Sequence, residues 1–391
     1  MKRSRSFVVA AAAAAVSALM LLSIARPADA IPAFARKYQV SCTNCHAPFP
    51  RLKPYGEEFA ARGFRMPDAA QEPTRAEHDT GDPLLKLMRD VPLAMRAEAH
   101  GVYREGAEVD NDFESPWLFK ALSGGPIGEK ISYYGYFIIE EGDVVGLEDA
   151  FLQFSGLFGS GIDLVVGQFQ VSDPLFKREL RLSRADYEIY RLRVGEVRAN
   201  LTYDRGLILS GTLPLEIDTV FEVVNGNGIP EGTFDQDSQK NVALRLAREF
   251  GPVRLGLFGY LGKEENEVGV RDEITYFGPD LKITPSEHWD IALQYLVRTD
   301  DDPYFLAIEQ SEIETQGGFA EVVFLPQGAD GRWAVTALYN RIDSDDLAAE
   351  FEDAALSLSY LAARNVRVIA EVGQDMILDD GRVSLGVVTA F

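Results

Sequence analysis

The stretch HWDIALQYLV, residues 288–297, divides by parity. Trp289, Ile291, Leu293, Tyr295 and Val297 fall on one side of an extended chain, and His288, Asp290, Ala292, Gln294 and Leu296 fall on the other. Successive side chains of a strand point to opposite faces, so an apolar face is backed here by a small and polar one. Residues 331–340 repeat the division, with Trp333, Val335, Ala337 and Tyr339 against Arg332, Ala334, Thr336, Leu338 and Asn340. At the C-terminus Val383, Leu385, Val387, Thr389 and Phe391 oppose Arg382, Ser384, Gly386 and Ala390. Two architectures produce such strands: a soluble sandwich that buries the apolar face, and a membrane barrel that turns it to lipid around a wet lumen.

The connections choose between them. Period-two stretches run over residues 93–104, 116–124, 129–141, 147–156, 161–170, 202–212, 216–226, 239–250, 253–263, 271–284, 287–299, 313–326, 331–343, 351–361, 364–377 and 381–391. These are about sixteen, an even number, with lengths suited to tilted spanning strands. Tight turns (PIGE 126–129, FGSG 158–161, PLE 214–216, FGP 250–252, ARN 363–365) alternate with longer acidic loops (EGAEVDNDFES 105–115, GNGIPEGTFDQDSQ 226–239, DDDPYFLAIEQSE 300–312, DSDDLAAE 343–350). Such alternation predicts an all-β chain: an outer-membrane antiparallel β-barrel over 93–391, with periplasmic turns and extracellular loops. A soluble sandwich has no reason to keep the alternation through so many hairpins. The longest connection, residues 171–201, follows the fifth strand and carries Lys177, Arg178, Arg181, Arg184, Arg191, Arg193 and Arg198. As a porin-type third loop it would fold inward, its arginines meeting carboxylates of the lumen or of a cofactor. The alternative is a solvated, partly helical surface loop. Phe391 is expected on the outward face of the last strand, where it helps the barrel assembly machinery.

Ahead of the barrel, Lys2, Arg3 and Arg5 precede an apolar run from Phe7 to Ile24, closed by Ala28-Asp29-Ala30. This pattern predicts a secretory signal over 1–30 rather than an uncleaved anchor. In the exported chain the only two cysteines form C-x-x-C-H: Cys42, Cys45 and His46. A zinc site lacks further ligands of matching spacing, and a thioredoxin-type pair lacks its strand–helix frame. The pattern fits covalent haem c, with Cys42 and Cys45 as thioether anchors and His46 as proximal iron ligand.

For the distal position Met66, in RGFRMPD, is the leading candidate; packing beside Phe59 and Phe64 is its alternative role. His78, Met88, Met95 and His100 are further candidates. A haem segment over 31–75 and a linker over 76–92 are too short to bury a haem in a core of their own, so the barrel must supply walls.

The segment ARKYQVSCTNCHAPFPRLKPYGEEFAARGFRM resembles the N-terminal part of the fused outer-membrane cytochrome-porins, a group that includes the oxidases of iron-oxidising bacteria. The matching residues are Cys42, Cys45, His46, Phe49-Pro50, Leu52, Pro54, Gly56, Phe59, Gly63 and Phe64. The resemblance implies a monohaem c domain joined to a barrel, moving electrons across the outer membrane of a Gram-negative bacterium.

Charge bears on the donor. The 391-residue chain has a formal net charge of −23, a field that enriches divalent cations and repels anions, nucleic acid among them. Acidic loops also keep exposed rims soluble. Asp300, Asp301 and Asp302, with Asp343, Asp345 and Asp346, are candidates for hard-cation ligands. The sequence therefore supports a one-electron oxidoreductase that takes electrons from Fe(II) and passes them to a periplasmic carrier, a cytochrome c or a cupredoxin. A diffusion porin with a haem-bearing plug or redox sensor, and an outward-directed electron conduit, stand as alternatives.

Overall fold

The computed structural model describes residues 33–66, 80–82, 84–85, 91–230, 233–306 and 312–391. The expected signal segment, His78 and Met88 lie outside the described residues, as does most of the expected linker. The strands are β1 Leu93–Arg104, β2 Asn111–Pro126, β3 Ile131–Glu140, β4 Asp143–Phe154, β5 Asp163–Gln170, β6 Tyr203–Leu213, β7 Ile217–Val224 and β8 Asn241–Phe250. They continue as β9 Val253–Glu265, β10 Arg271–Ser286, β11 Trp289–Asp300, β12 Ile313–Phe324, β13 Trp333–Ser344, β14 Phe351–Ala363, β15 Val366–Asp375 and β16 Asp380–Ala390. Each pairs antiparallel with its sequence neighbours, and β1 pairs with β16, so the sheet is a closed barrel. Closure leaves no unpaired edge, which is what an extended chain needs where no water can satisfy its backbone.

Parity decides which face turns inward, and the barrel is polar inside. Along β11, Leu293 and Tyr295 are 37% and 46% exposed, whereas Arg298 and Asp300 are both 0% exposed. Leu244, Leu257, Leu356, Leu385 and Val387 are exposed in the same way on other strands. Phe391 joins this outward face, its backbone tied to Met95 across the seam (N to O, 2.9 Å).

The buried polar face serves a loop. Residues 171–202 fold into the lumen, where Tyr187, Ile189, Tyr190, Leu192, Val194 and Leu201 join a cluster with wall residues such as Phe258, Tyr276, Leu296, Phe319 and Leu338. The loop's backbone is satisfied by wall side chains: Arg298 donates to the Ala199 carbonyl (3.2 Å), Asn340 to that of Asp186 (2.9 Å) and Arg367 to that of Leu182 (2.5 Å). Buried backbone groups require such partners, so charged residues inside the barrel are the condition for the loop to enter it.

The loop's arginines divide between its own carboxylates and the wall. Arg178 and Arg181 converge on Asp186, and Arg184 reaches Glu114 of β2 (2.5 Å). The inward fold expected of this loop is thus observed, while Arg191, Arg193 and Arg198 remain exposed.

Two connections differ from expectation. Strand β2 begins at Asn111, so the first loop is 105–110 rather than 105–115. Between β3 and β4 the chain reverses in Glu141 and Gly142, both at positive φ, a two-residue hairpin amid the longer loops. The short turns nevertheless gather at one end of the barrel, which also holds the start of β1 and the end of β16.

Candidate functional site at the short-turn mouth

Residues 33–66 sit in the short-turn mouth. Arg36 donates to the Leu93 carbonyl, Arg65 to Ser132 and Gly128, and Gln153 to the Ala61 carbonyl, while Lys282 pairs with Glu57. Phe64 packs on Tyr134 of β3 at 5.3 Å between ring centroids, and Tyr134 packs on Tyr136 at 5.9 Å. The segment's own cluster, Tyr38, Phe59 and Met66, is small, and strands wall it on the barrel side.

Within it, Cys42–Asn44 form one 3-10 turn, capped by the Ser41 side chain. The chain then reverses: His46 bridges Leu52, the Ala47 N–H donates to the Arg51 carbonyl (2.9 Å) and the Lys53 N–H to the Cys45 carbonyl (2.8 Å). Pro54 opens the helix Pro54–Ala61 at a position where its missing N–H costs nothing. Gly56 lies against the turn so closely that a Cβ there would be 2.5 Å from the Cys45 carbonyl oxygen. At the far end Gly63, at φ +67°, has Ser132 Oγ 2.4 Å from its Cβ position. Both are glycines because barrel and turn approach the backbone directly.

The geometry fits a covalently attached haem. Both thiols are half-buried, unpaired with each other and carried on a single turn. Burial pushes both up, Cys45 being raised further by Cys42. His46 Nδ1 lies 2.9 Å from the Pro50 carbonyl and 3.3 Å from that of Arg51. Carbonyls only accept, so Nδ1 carries the proton and Nε2 holds a lone pair, the tautomer a metal-ligating imidazole requires. Burial lowers the His46 pKa and outweighs the opposing effect of these two hydrogen bonds, favouring the neutral ring. Cys42 and Cys45 would hold the group, and His46 would ligate its iron.

The distal candidates fare differently. Met66 is buried with Tyr38 and Phe59, and its sulfur accepts from the Tyr55 hydroxyl at 3.3 Å. That is the packing role expected as its alternative. His100 lies on the lumen face of β1 beside Trp117 (5.4 Å between centroids), its Nε2 3.7 Å from Glu98. Met95 has the opposite parity, with exposed Leu93. The acidic clusters are used by the protein itself: Asp300 by Arg298, Asp343 by Arg341, and Asp346 by Tyr304 and the Ala348 N–H. Among the described residues no group of three or more His, Cys, Asp or Glu could hold a metal ion.

Sequence reasoning missed two features. A small cavity of about 40 Å³ lies between β1–β4, β6 and the inward loop, lined by Arg96, Glu98, Trp117, Lys120, Glu148 and Glu179 among others. Lys120 pairs with Glu179 at 2.6 Å; burial alone would raise Glu179, but Lys120, Tyr136 and Tyr203 together lower it to about 2. The cavity adjoins the mouth, since Arg96 lies 5.9 Å from the ring of Phe49, which in turn packs against His46 at 5.3 Å.

The second is Arg51, which reaches from the turn to Asp290 of β11 (2.6 Å) and Glu321 of β12 (3.1 Å). Lumen-facing carboxylates at strand ends were the available signal, but nothing local points to their partner.

No family model matches this chain, and no curated protein matches it. Solved structures share its fold. A loop L8 deletion mutant of OmpT, an outer membrane protein of Vibrio cholerae, aligns with TM-score 0.56 and 12% identity over 77% of this chain and 99% of that one. An anion-selective porin from Comamonas acidovorans aligns with TM-score 0.55 and 11% identity, over 77% and 99%. Salmonella typhi OmpF, in complex with daunomycin, gives 0.54 and 12%, over 77% and 97%. The barrel is therefore of the porin type.

Proposed function

We propose that this chain is an outer-membrane cytochrome-porin that transfers one electron between an extracellular donor, Fe(II), and a periplasmic carrier. The observation that carries the reading is His46, its Nδ1 proton held by the Pro50 carbonyl and its Nε2 without a hydrogen-bond partner among the described residues, on the turn that bears Cys42 and Cys45 inside a barrel mouth. When bound, the haem supplies the one-electron chemistry. The chain's own residues do the rest. Cys42 and Cys45 anchor, His46 orients, and β1–β4 with the inward loop restrict water and solutes. The short-turn end would face the periplasm, and the acidic loops would draw a cationic donor to the opposite rim. A hydrocarbon core about 30 Å thick is too wide for one haem, so the donor must enter the lumen from the loop side.

A diffusion porin with a plug is the second reading, favoured by the porin-type barrel. Against free diffusion stands the filling of the lumen by residues 171–202 along the wall from β7 to β14.

The test is a spectroscopic titration on cells displaying the protein. Fe(II) added outside should reduce a covalently bound haem, and His46→Ala should abolish the response. Absence of a haem-staining band after denaturing electrophoresis would leave the porin reading. A haem reduced from the periplasmic side but not by Fe(II) would point to an outward conduit.

A further inference from the structure

The return segment 50–53 has two sets of contacts. Its backbone holds the candidate ligand turn: the Pro50 and Arg51 carbonyls face His46 Nδ1, the Arg51 carbonyl accepts from Ala47, and the Lys53 N–H donates to Cys45. Its side chains hold the barrel. Arg51 makes a hydrogen-bonded ion pair with Asp290 and a second with Glu321, all three largely buried at 13%, 14% and 1% side-chain exposure. Lys53 donates to the Thr43 carbonyl at 2.6 Å and pairs with Asp330 in the β12–β13 turn at 2.5 Å.

Glu321 also faces the inward loop. Burial first, and then the Glu321 carboxylate, push the Tyr187 phenol well above its usual value, and the Tyr187 ring stacks on Phe319 at 4.0 Å, two residues along β12. One guanidinium thus joins the ligand turn, two strands of the wall and the loop that fills the lumen.

We propose that Arg51 is the positioning residue through which the barrel wall and the inward loop set the orientation and electrostatic environment of the haem-attachment turn and keep the mouth shut. An arginine suits this task because its planar fork engages two carboxylates at once, which a lysine ammonium does not. Its positive charge is local and fixed, so it disfavours the more positive ferric state of a neighbouring haem iron. Its removal strands two carboxylates of opposite effect to its own, and this breaks the latch.

The inference rests on the proposed haem only for its electrostatic half, and the experiment separates the two. In the haem-free Cys42→Ser/Cys45→Ser background, Arg51→Ala should raise the open-to-closed ratio of single channels in planar bilayers by roughly a hundredfold to a few thousandfold, the scale set by breaking a buried pair. Glu321→Gln, with Arg51 intact, should give a smaller rise. In the haem-loaded chain Arg51→Ala should lower the midpoint potential by about 59 mV or more, roughly a tenfold change for a one-electron couple. Arg51→Lys should recover most of the potential and only part of the closure.

Parent-like channel behaviour of Arg51→Ala overturns the proposal whether or not haem is present, and so does an unchanged potential in the loaded variant. A wild type that takes up no haem defeats the proposed function while the channel comparison still decides the latch. If Arg51→Ala fails to fold, Arg51→Lys, which keeps a charge between the two carboxylates but loses the fork, carries the channel comparison, and closure equal to the parent's overturns the latch.

Discussion

Replacing Leu293 by Arg tests whether the apolar face of β11 meets lipid. Leu293 is the fifth of twelve residues in β11, 37% exposed and flanked by Leu281 and Ala320 on the neighbouring strands. At about 3.4 Å per residue and a tilt of about 40°, it stands roughly 4 Å from the middle of the strand's span. An arginine there should destabilise the protein by about 2–4 kcal/mol in bilayers. Trp289, first residue of the same strand and on the same face, stands roughly 14 Å from the middle by the same geometry. Trp289→Arg should cost about 0–1 kcal/mol for depth, plus about 0.5–1.5 kcal/mol for its ring contact with Phe324. The assay is denaturant unfolding in lipid vesicles, read as loss of the heat-modifiable band. For a protein whose outward face meets water, Leu293 would accept arginine within about 0.5 kcal/mol and Trp289 would lose only its ring contact. A flat response at Leu293 would refute the inside-out reading of the strands.

Gly56→Ala drives a methyl group against the Cys45 carbonyl, so haem attachment should fall sharply while the barrel remains heat-modifiable; a staining gel and a gel shift on the same samples check both. Asp186 is buried, which raises its pKa, but Arg181 and Arg178 overcome that and hold it well below the usual carboxylate range. Its contribution is then complete above the unfolded value of about 3.9 and lost only as pH falls through the depressed folded value, so stability measured from pH 7 to 4 should show no step from this residue. Asp186→Asn should cost about 3–5 kcal/mol, because Arg178 and Arg181 lose their anion, and the denaturant midpoint reads this directly. Deleting Phe391 removes two seam hydrogen bonds with Met95 and an outward ring, and should lower the yield of membrane-inserted, heat-modifiable protein.

Parity made most strands legible, because an outward apolar row survives only where the register is kept. Strand β1 and the starts of β9, β10, β12 and β14 fall where the alternation places them. The start of β2 was hidden because Asn111, Asp112 and Glu114 give no apolar alternation, although the backbone pairs there with β1. The β3–β4 hairpin was hidden by Gly142 and Gly146, whose positive φ bends a run that reads as loop.

At the candidate site the C-x-x-C-H pattern is local, so Cys42, Cys45 and His46 could be named together at once. Arg51 could not: Asp290 and Glu321 lie 239 and 270 residues further along the chain. Met66 shows the converse, a residue whose spacing suggests ligation and whose packing against Tyr38, Tyr55 and Phe59 could be read only from the fold.

The seam between β1 and β16 has a consequence for the order of manufacture. Every other strand pairing joins neighbours in sequence, but this one must wait for the last strand, so no complete cylinder exists until β16 has emerged. Residues 33–66 are made before any of their walls, and Arg51 must hold its charge in water until β11 and β12 arrive. On the proposed reading, the thioether bonds are formed during that interval, while the cysteine turn is still accessible to a ligating enzyme. On that reading the finished mouth would close around a cofactor already in place, and a chain that missed it would fold around the omission.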